Sequence, residues 1–263
     1  MSFPWIRTAA AVATIALVTT SCGPDADSAG DGKPAVTTSA TAPRSTPTSS
    51  PANAGLENLP VRTIMKKTRA ASLAATNLRM RGTIDDTDGL MTFDITLTKG
   101  GGEGTFTLAG ASYSVRAIGK AVYLQLSESA IRAQAKAEKS SPAETARTVR
   151  LLKNKWIKLS KVDKGTQDMV DLVTPGRFFT AVFGEDDTDT AAPPRKVAAR
   201  TVDGVRCVGL TDSGAEMWID TETARLVRMS DGKNRFSFSA YGKARTPKAP
   251  AKSQVLDGKT IGL

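Results

Sequence analysis

Cysteine, serine and clustered carboxylates are the residues of this chain whose chemistry could matter, and histidine is absent from its 263 positions. Without histidine there is no Ser-His or Cys-His nucleophile pair, and the commonest general base and zinc ligand are missing. Two cysteines, Cys22 and Cys207, are too few for a thiolate metal cluster. Asp86, Asp88 and Gly89 match three positions of a calcium loop, but its first and last positions would fall on Ile84 and Ile95. The stretch reads better as a hairpin turn. The acidic run Glu185, Asp186, Asp187 and Asp189 has the character of a solvated loop. "IGKA" at 118–121 lacks the spacing and hydroxyl of a phosphate loop. Ser230-Asp231-Gly232-Lys233 has the Ser-x-x-Lys spacing of some acyl-transfer enzymes, yet it sits in a predicted turn without their companion motifs. The residues imply no cofactor and no metal, and they argue against an enzyme.

Cys22 has a different chemistry in view. Arg7 is the one charged side chain among the first 22 residues, and an apolar run from Ala9 to Val18 follows it. A charged start, a short apolar stretch and small residues ahead of a cleavage point make residues 1–21 an export signal, too short to span a bilayer. Thr19 and Ser21 suit ordinary signal peptidase. "TTSC" also resembles the bacterial lipobox, whose cysteine sulfur takes a diacylglycerol, although Thr19 stands where Leu or Val is usual. Three fates are open to Cys22: acylation, a bridge to Cys207, or a plain thiol. A flexible tail is a poor place to hold a bridge, and Cys207 has the setting of a small buried strand residue, so acylation is the favoured reading.

Residues 22–57 hold little but Ala, Gly, Ser, Thr, Pro and Asp. Such a segment cannot bury enough apolar surface to offset its ordering entropy. As a flexible tether of this length it spans about 30 Å. Residues 58–263 are then one folded domain. The formal charge of +10 falls to +9 when Arg7's single charge leaves with the signal. That excess suits anionic lipid headgroups or wall polymers as partners, while export and the lack of a motif argue against nucleic acid.

Within the folded part, 61–75 has helical spacing at Val61, Ile64, Met65, Thr68 and Ser72 or Ala71. Strands follow: "NLRMRGTI", "LMTFDITLTK", "TFTLAG", "SYSVRAIG" and "KAVYLQLS", with "DDTDG" and "GGGEG" as turns. Residues 128–154 make two helices split at "SSPAE", where Ser141, Pro142 and Glu144 form a capping signature. "KWIKLSK" is a strand, and 166–184 holds short helices broken at Pro175. Five more strands cover 195–242, and the tail from Lys243 reads as irregular. Helix, meander, helices, meander is the order of an α+β domain, a curved antiparallel sheet with helices on one face.

The chain resembles actinobacterial lipoproteins of the LppX/LprG type, similar in fold to the carriers LolA and LolB. "VRAIGKAVYLQL", "KWIKLSK", "MWIDTETARLVRM" and "FSFSAYGKARTPKAP" carry the resemblance as loose patterns. It implies a half-barrel sheet wrapped over helices, with lipid or glycolipid acyl chains in the space between. The candidate lining is the apolar face of the first meander: Met91, Phe93, Ile95, Leu97, Phe106, Leu108, Tyr113 and Val115. The same alternation also suits a closed core, which would leave an envelope module that docks on a protein or an anionic wall polymer. The anchor is testable. Replacing Cys22 by Ser is expected to move the protein from the detergent-soluble membrane fraction into the aqueous one and to remove a diacylglycerol-sized mass. An unchanged distribution, or a Cys22–Cys207 peptide under non-reducing digestion, would discard acylation.

Overall fold

The computed structural model describes residues 55–75, 77–86, 89–160, 164–183 and 194–261. The signal, Cys22, the tether up to residue 54 and the acidic loop 185–193 lie outside them. Twelve strands among the described residues form one sheet in the order β12-β6-β5-β4-β3-β2-β1-β11-β10-β9-β8-β7. The first meander is β1 (Asn77–Asp86), β2 (Gly89–Thr98), β3 (Gly101–Leu108), β4 (Ala111–Ile118) and β5 (Ala121–Leu126). The second is β7 (Arg195–Val202), β8 (Val205–Asp212), β9 (Ala215–Asp220), β10 (Leu226–Asp231) and β11 (Asn234–Ser239). They are joined by antiparallel pairing of β1 with β11. The α+β class and the curved antiparallel sheet expected from the sequence are those observed.

Helices lie before and between the meanders: α1 (Val61–Ala74), α2 (Glu128–Ala137), α3 (Pro142–Leu152), α4 (Lys164–Leu172) and α5 (Pro175–Phe183). In α1, Ile64, Thr68 and Ser72 are the buried stripe, four residues apart as helical geometry requires. The Thr68 hydroxyl donates to the Ile64 carbonyl at 2.9 Å, which satisfies a polar group in the interior. Ser141 and Glu144 close a reciprocal capping box with Pro142 in the first turn of α3, as the sequence predicts.

Strand alternation separates two environments. Leu78, Met80, Ile84, Ile95, Leu97, Val115 and Phe236 are at most 1 % exposed and share one core with residues from the helices. The opposite face carries ion pairs such as Arg79–Asp94, Arg81–Asp94 and Arg116–Glu103. The Arg79 guanidinium holds the Asp94 carboxyl below its ordinary range. Because that pKa is depressed, the pair's contribution is present above the usual carboxylate range and fades as the pH falls through the folded value.

Three expectations are corrected. "GGGEG" is not all turn: Lys99 and Gly100 turn the chain, and Gly101–Gly104 begin β3. The glycines are there because the backbone after α4 lies against them. A Cβ at Gly102 would sit 2.0 Å from the Val173 carbonyl oxygen, and one at Gly104 would meet Ile95 and Val173 side chains at 2.8 and 3.0 Å. The tail is not wholly irregular, since β12 (Val255–Asp257) pairs in parallel with β6 (Trp156–Lys158) and completes one edge of the sheet. The tether's assigned end is also too late, because Leu56 already packs in the core and Lys196 Nζ donates to the Glu57 and Leu59 carbonyls at 2.8 Å.

Gly102→Ala is expected to cost about 3 kcal/mol through that backbone collision, read as a fall in urea midpoint at unchanged slope. Gly176→Ala in α5, where a Cβ meets nothing within 4 Å, is expected to be neutral or stabilising by up to about 1 kcal/mol. Equal effects of the two would refute the close-approach explanation.

Candidate functional site

The concave face of the sheet is an apolar trough, and α5 fills its centre. Phe178, Phe179, Val182 and Phe183 recur at helical spacing and point one face of α5 inward. Phe178 lies 6.0 Å from Phe238 on β11 and 5.1 Å from Phe179, which in turn stacks 6.3 Å from Phe183. Phe93 on β2 and Phe236 on β11 lie 5.3 Å apart across the junction of the meanders. These aromatic contacts are large apolar surfaces in offset or tilted geometry, worth more than their area alone.

The eight candidate lining residues fall where alternation places them. Phe93, Ile95, Leu97, Phe106 and Val115 are buried in the main core, with Met91 and Tyr113 half-buried against it. Leu108 is half-buried at the end of β3, opposite Met91. Burial alone pushes the Tyr113 hydroxyl up from its ordinary pKa. The α5 phenylalanines were missing from the sequence-based set. Their spacing in "GRFFTAVF" was the available signal, but a short helix whose apolar residues face a sheet cannot be told locally from one that lies on the surface.

Between α1, α5 and the second meander lies a gap lined by Met65, Val182, Leu210, Ala215 and Met217, with Asp212 and Glu216 at its edge. Its volume is about 30 Å³, room for no more than a few water molecules. Ligand sites for molecules of drug size run from about 300 to 1,000 Å³. Two roomier clefts lie elsewhere. One of about 700 Å³ separates α1 from the β9–β10 turn. The other, of about 550 Å³, is bounded by β1, β10 and β11 with the β7–β8 turn.

The polar face of the second meander carries its own small cluster: Val202, Cys207, Trp218 and Val227, flanked by Val197 and Val205. The Arg200 guanidinium lies 3.9 Å over the Trp218 ring, whose indole N–H donates to Glu216 at 3.1 Å. Cys207 is a fully buried free thiol in this cluster, the setting expected from its strand pattern. Burial first, then the carboxylates of Asp220 and Asp203, push its pKa up to about 11. A thiol so held stays protonated and is no nucleophile at neutral pH.

Among the described residues no cluster of three or more His, Cys, Asp or Glu could hold a metal ion, and no helix is long and apolar enough to cross a membrane. No protein-family model matches the chain, and no curated protein matches it. Among solved structures the chain is similar to LprF from Mycobacterium bovis, with 14% identity and a TM-score of 0.43 over 73% of this chain and 97% of that one. It is similar to the Mycobacterium tuberculosis lipoprotein LppX at 11% identity and a TM-score of 0.43, over 72% and 98% of the two chains. A third likeness is to the Pseudomonas aeruginosa MucA/MucB complex, at 15% identity and a TM-score of 0.33, covering 74% of this chain and 59% of that one.

Cys207 offers a direct check on the buried cluster. Iodoacetamide at pH 8 is expected to modify it at least a hundredfold more slowly in the native protein than in 6 M guanidinium. Similar rates would mean that the cluster opens readily.

Proposed function

We propose that this chain is a membrane-anchored envelope lipoprotein, held by Cys22, that binds acyl chains of a lipid or glycolipid between its sheet and its helices. The observation that carries the reading is the unbroken apolar concave face, covered by short helices rather than by a second sheet, with a methionine-lined gap at its margin. An acyl chain gains about 0.8 kcal/mol for each CH₂ it buries. In this reading it enters at Met65 and Val182, displaces the α5 phenylalanines and lies along the first-meander face from Met91 to Val115. Methionine suits such an entrance because its unbranched side chain repacks at low cost.

One observation favours a second reading. The first-meander face is closed, with Phe93, Ile95, Leu97, Phe106 and Val115 no more than 5 % exposed. In that reading the interior is a filled core and the protein docks through its surface on an envelope protein or an anionic polymer.

Native mass spectrometry separates the two. The exported Cys22→Ser chain, incubated with membrane extract, is expected to retain a stoichiometric lipid that organic solvent releases. Blocking the gap with Met65→Trp and Val182→Trp in a folded protein is expected to reduce that occupancy at least tenfold. A clean apo mass after the same exposure would reject the carrier reading in favour of the docking module.

A further inference from the structure

The cleft of about 550 Å³ draws its walls from polar residues of the sheet together with Leu226 and Phe238 of the main core and Tyr241 packed against it. Arg81 of β1, Ser237 and Ser239 of β11 and the residues around the start of β10 meet there. Across them stand Asp203 from the β7–β8 turn and Asp220 from the end of β9.

Turns and a bulge shape the rim of this cleft. β10 carries a bulge between Leu226 and Arg228, which turns Val227 toward the polar face and lets Arg225 reach the cleft. Bulges re-aim side chains and gather at binding sites. Asp203, Ala224 and Ala240, none of them glycine, hold φ values of 51°, 56° and 53° at or next to its rim. Ala109, Lys139, Asn154 and Ser213 hold similar φ values in turns elsewhere, so these three mark the turns that form the rim.

The lining carries two arginines, Arg81 and Arg225, and two carboxylates, Asp203 and Asp220. The carboxylates are already engaged: Asp203 pairs with Arg228, and Asp220 accepts from the Glu222 amide at 2.9 Å and from the Thr223 hydroxyl. Asp94 serves both Arg79 and Arg81, so two guanidiniums share one carboxylate. Arg225 has no carboxylate within ion-pair distance among the described residues. Its guanidinium instead lies 5.1 Å over the ring of Tyr241, whose hydroxyl donates to the Leu226 carbonyl at 2.8 Å. That anchoring holds a planar cationic fork in one place, which is what bidentate capture of a carboxylate or phosphate needs.

The other groups select for more than a bare ion. Val205 and Val227 are among its apolar walls, and Ser237, Ser239 and Thr223 bring hydroxyls to it, that of Thr223 donating to Asp220. Apolar walls with hydroxyls among them suit a saturated ring that presents C–H bonds on one face and hydroxyls at its edge. We propose that this cleft binds a sugar or cyclitol bearing a phosphate or a carboxylate, with Arg225 receiving the oxyanion. A free acidic sugar and a lipid headgroup share this chemistry. The site stands independently of the acyl-chain reading, since Met65, Val182 and the first-meander residues from Met91 to Val115 are not among its walls.

Isothermal titration of the exported Cys22→Ser chain tests this with four free probes: glucose 6-phosphate, glucuronic acid, glucose and inorganic phosphate. A parallel arm uses phosphatidylinositol vesicles against phosphatidylglycerol vesicles. At least one acidic sugar, or the inositol headgroup over the glycerol one, is expected to bind saturably, and at least tenfold more tightly than glucose or phosphate alone. Arg225→Ala is expected to weaken that binding tenfold or more, Arg225→Lys to restore part of it, and Arg132→Ala on α2 to leave it unchanged. Arg81→Gln gives a second reading if Arg225→Ala melts at a lower temperature. Binding of the free probes places the ligand in solution, and binding of the vesicles alone places it on a lipid. No saturable binding in either arm, inorganic phosphate binding as tightly as the sugar phosphate, or indifference to both arginine substitutions would overturn the proposal.

Discussion

The fold depends on one junction, the pairing of β1 with β11, which joins two meanders from opposite ends of the domain into one sheet. It is closed by contacts of long sequence separation, such as the Asp85 amide donating to the Asn234 side chain at 2.8 Å across 149 residues. Gly82 makes the close approach possible. A Cβ there would stand 2.0 Å from the Arg235 carbonyl oxygen and 2.6 Å from the Phe93 ring. With the hydrogen on that side, Phe93 lies across the junction onto Phe236, and α5 continues the aromatic row from Phe238. Either meander alone would be a twisted five-stranded sheet that offers the helices only part of the apolar face. Paired, they form a trough deep enough to be filled.

That junction also explains why the faces behave differently along the sheet. Over the first meander the polar face is conventional, with hydroxyl pairs such as Thr107 and Ser112 at 3.0 Å and arginine–carboxylate ladders open to solvent. Such exposed pairs contribute little individually and chiefly keep the face soluble and in register. Over the second meander the same face buries Trp218, Cys207 and Val227, and bulges interrupt β7 and β10. The bulge and the exposed Arg195, Lys196 and Arg200 also blunt β7, an outer edge that would otherwise be open to pairing with another chain. At the far edge the strand is short, three residues of β12 laid parallel on β6.

Much of this was legible from local pattern. Two-residue alternation placed both meanders, and the Asp-Gly and Pro signals placed their turns and the break between α4 and α5. Ser141, Pro142 and Glu144 predicted the start of α3, because a capping box is an interaction among residues three apart. The candidate lining residues share one face because pleat geometry leaves them no alternative. Other features were illegible because their cause lies elsewhere in the chain. The glycines of β3 read as a turn until Val173 is seen lying on them, and β12 reads as loose tail until β6 supplies a partner.

The sequence by itself thus determined which residues face inward, where helices begin and end, and that no histidine-based catalysis is available. Those are consequences of periodicities two and 3.6 residues long and of residue type. Only the tertiary structure decided that the meanders meet at Gly82 and that the phenylalanines of α5 fill the trough. It also decided that Arg81, Asp203, Asp220, Arg225 and Tyr241 share one cleft. Residues so far apart in the chain have no common local signal, and it is strand pairing across the sheet that brings them together.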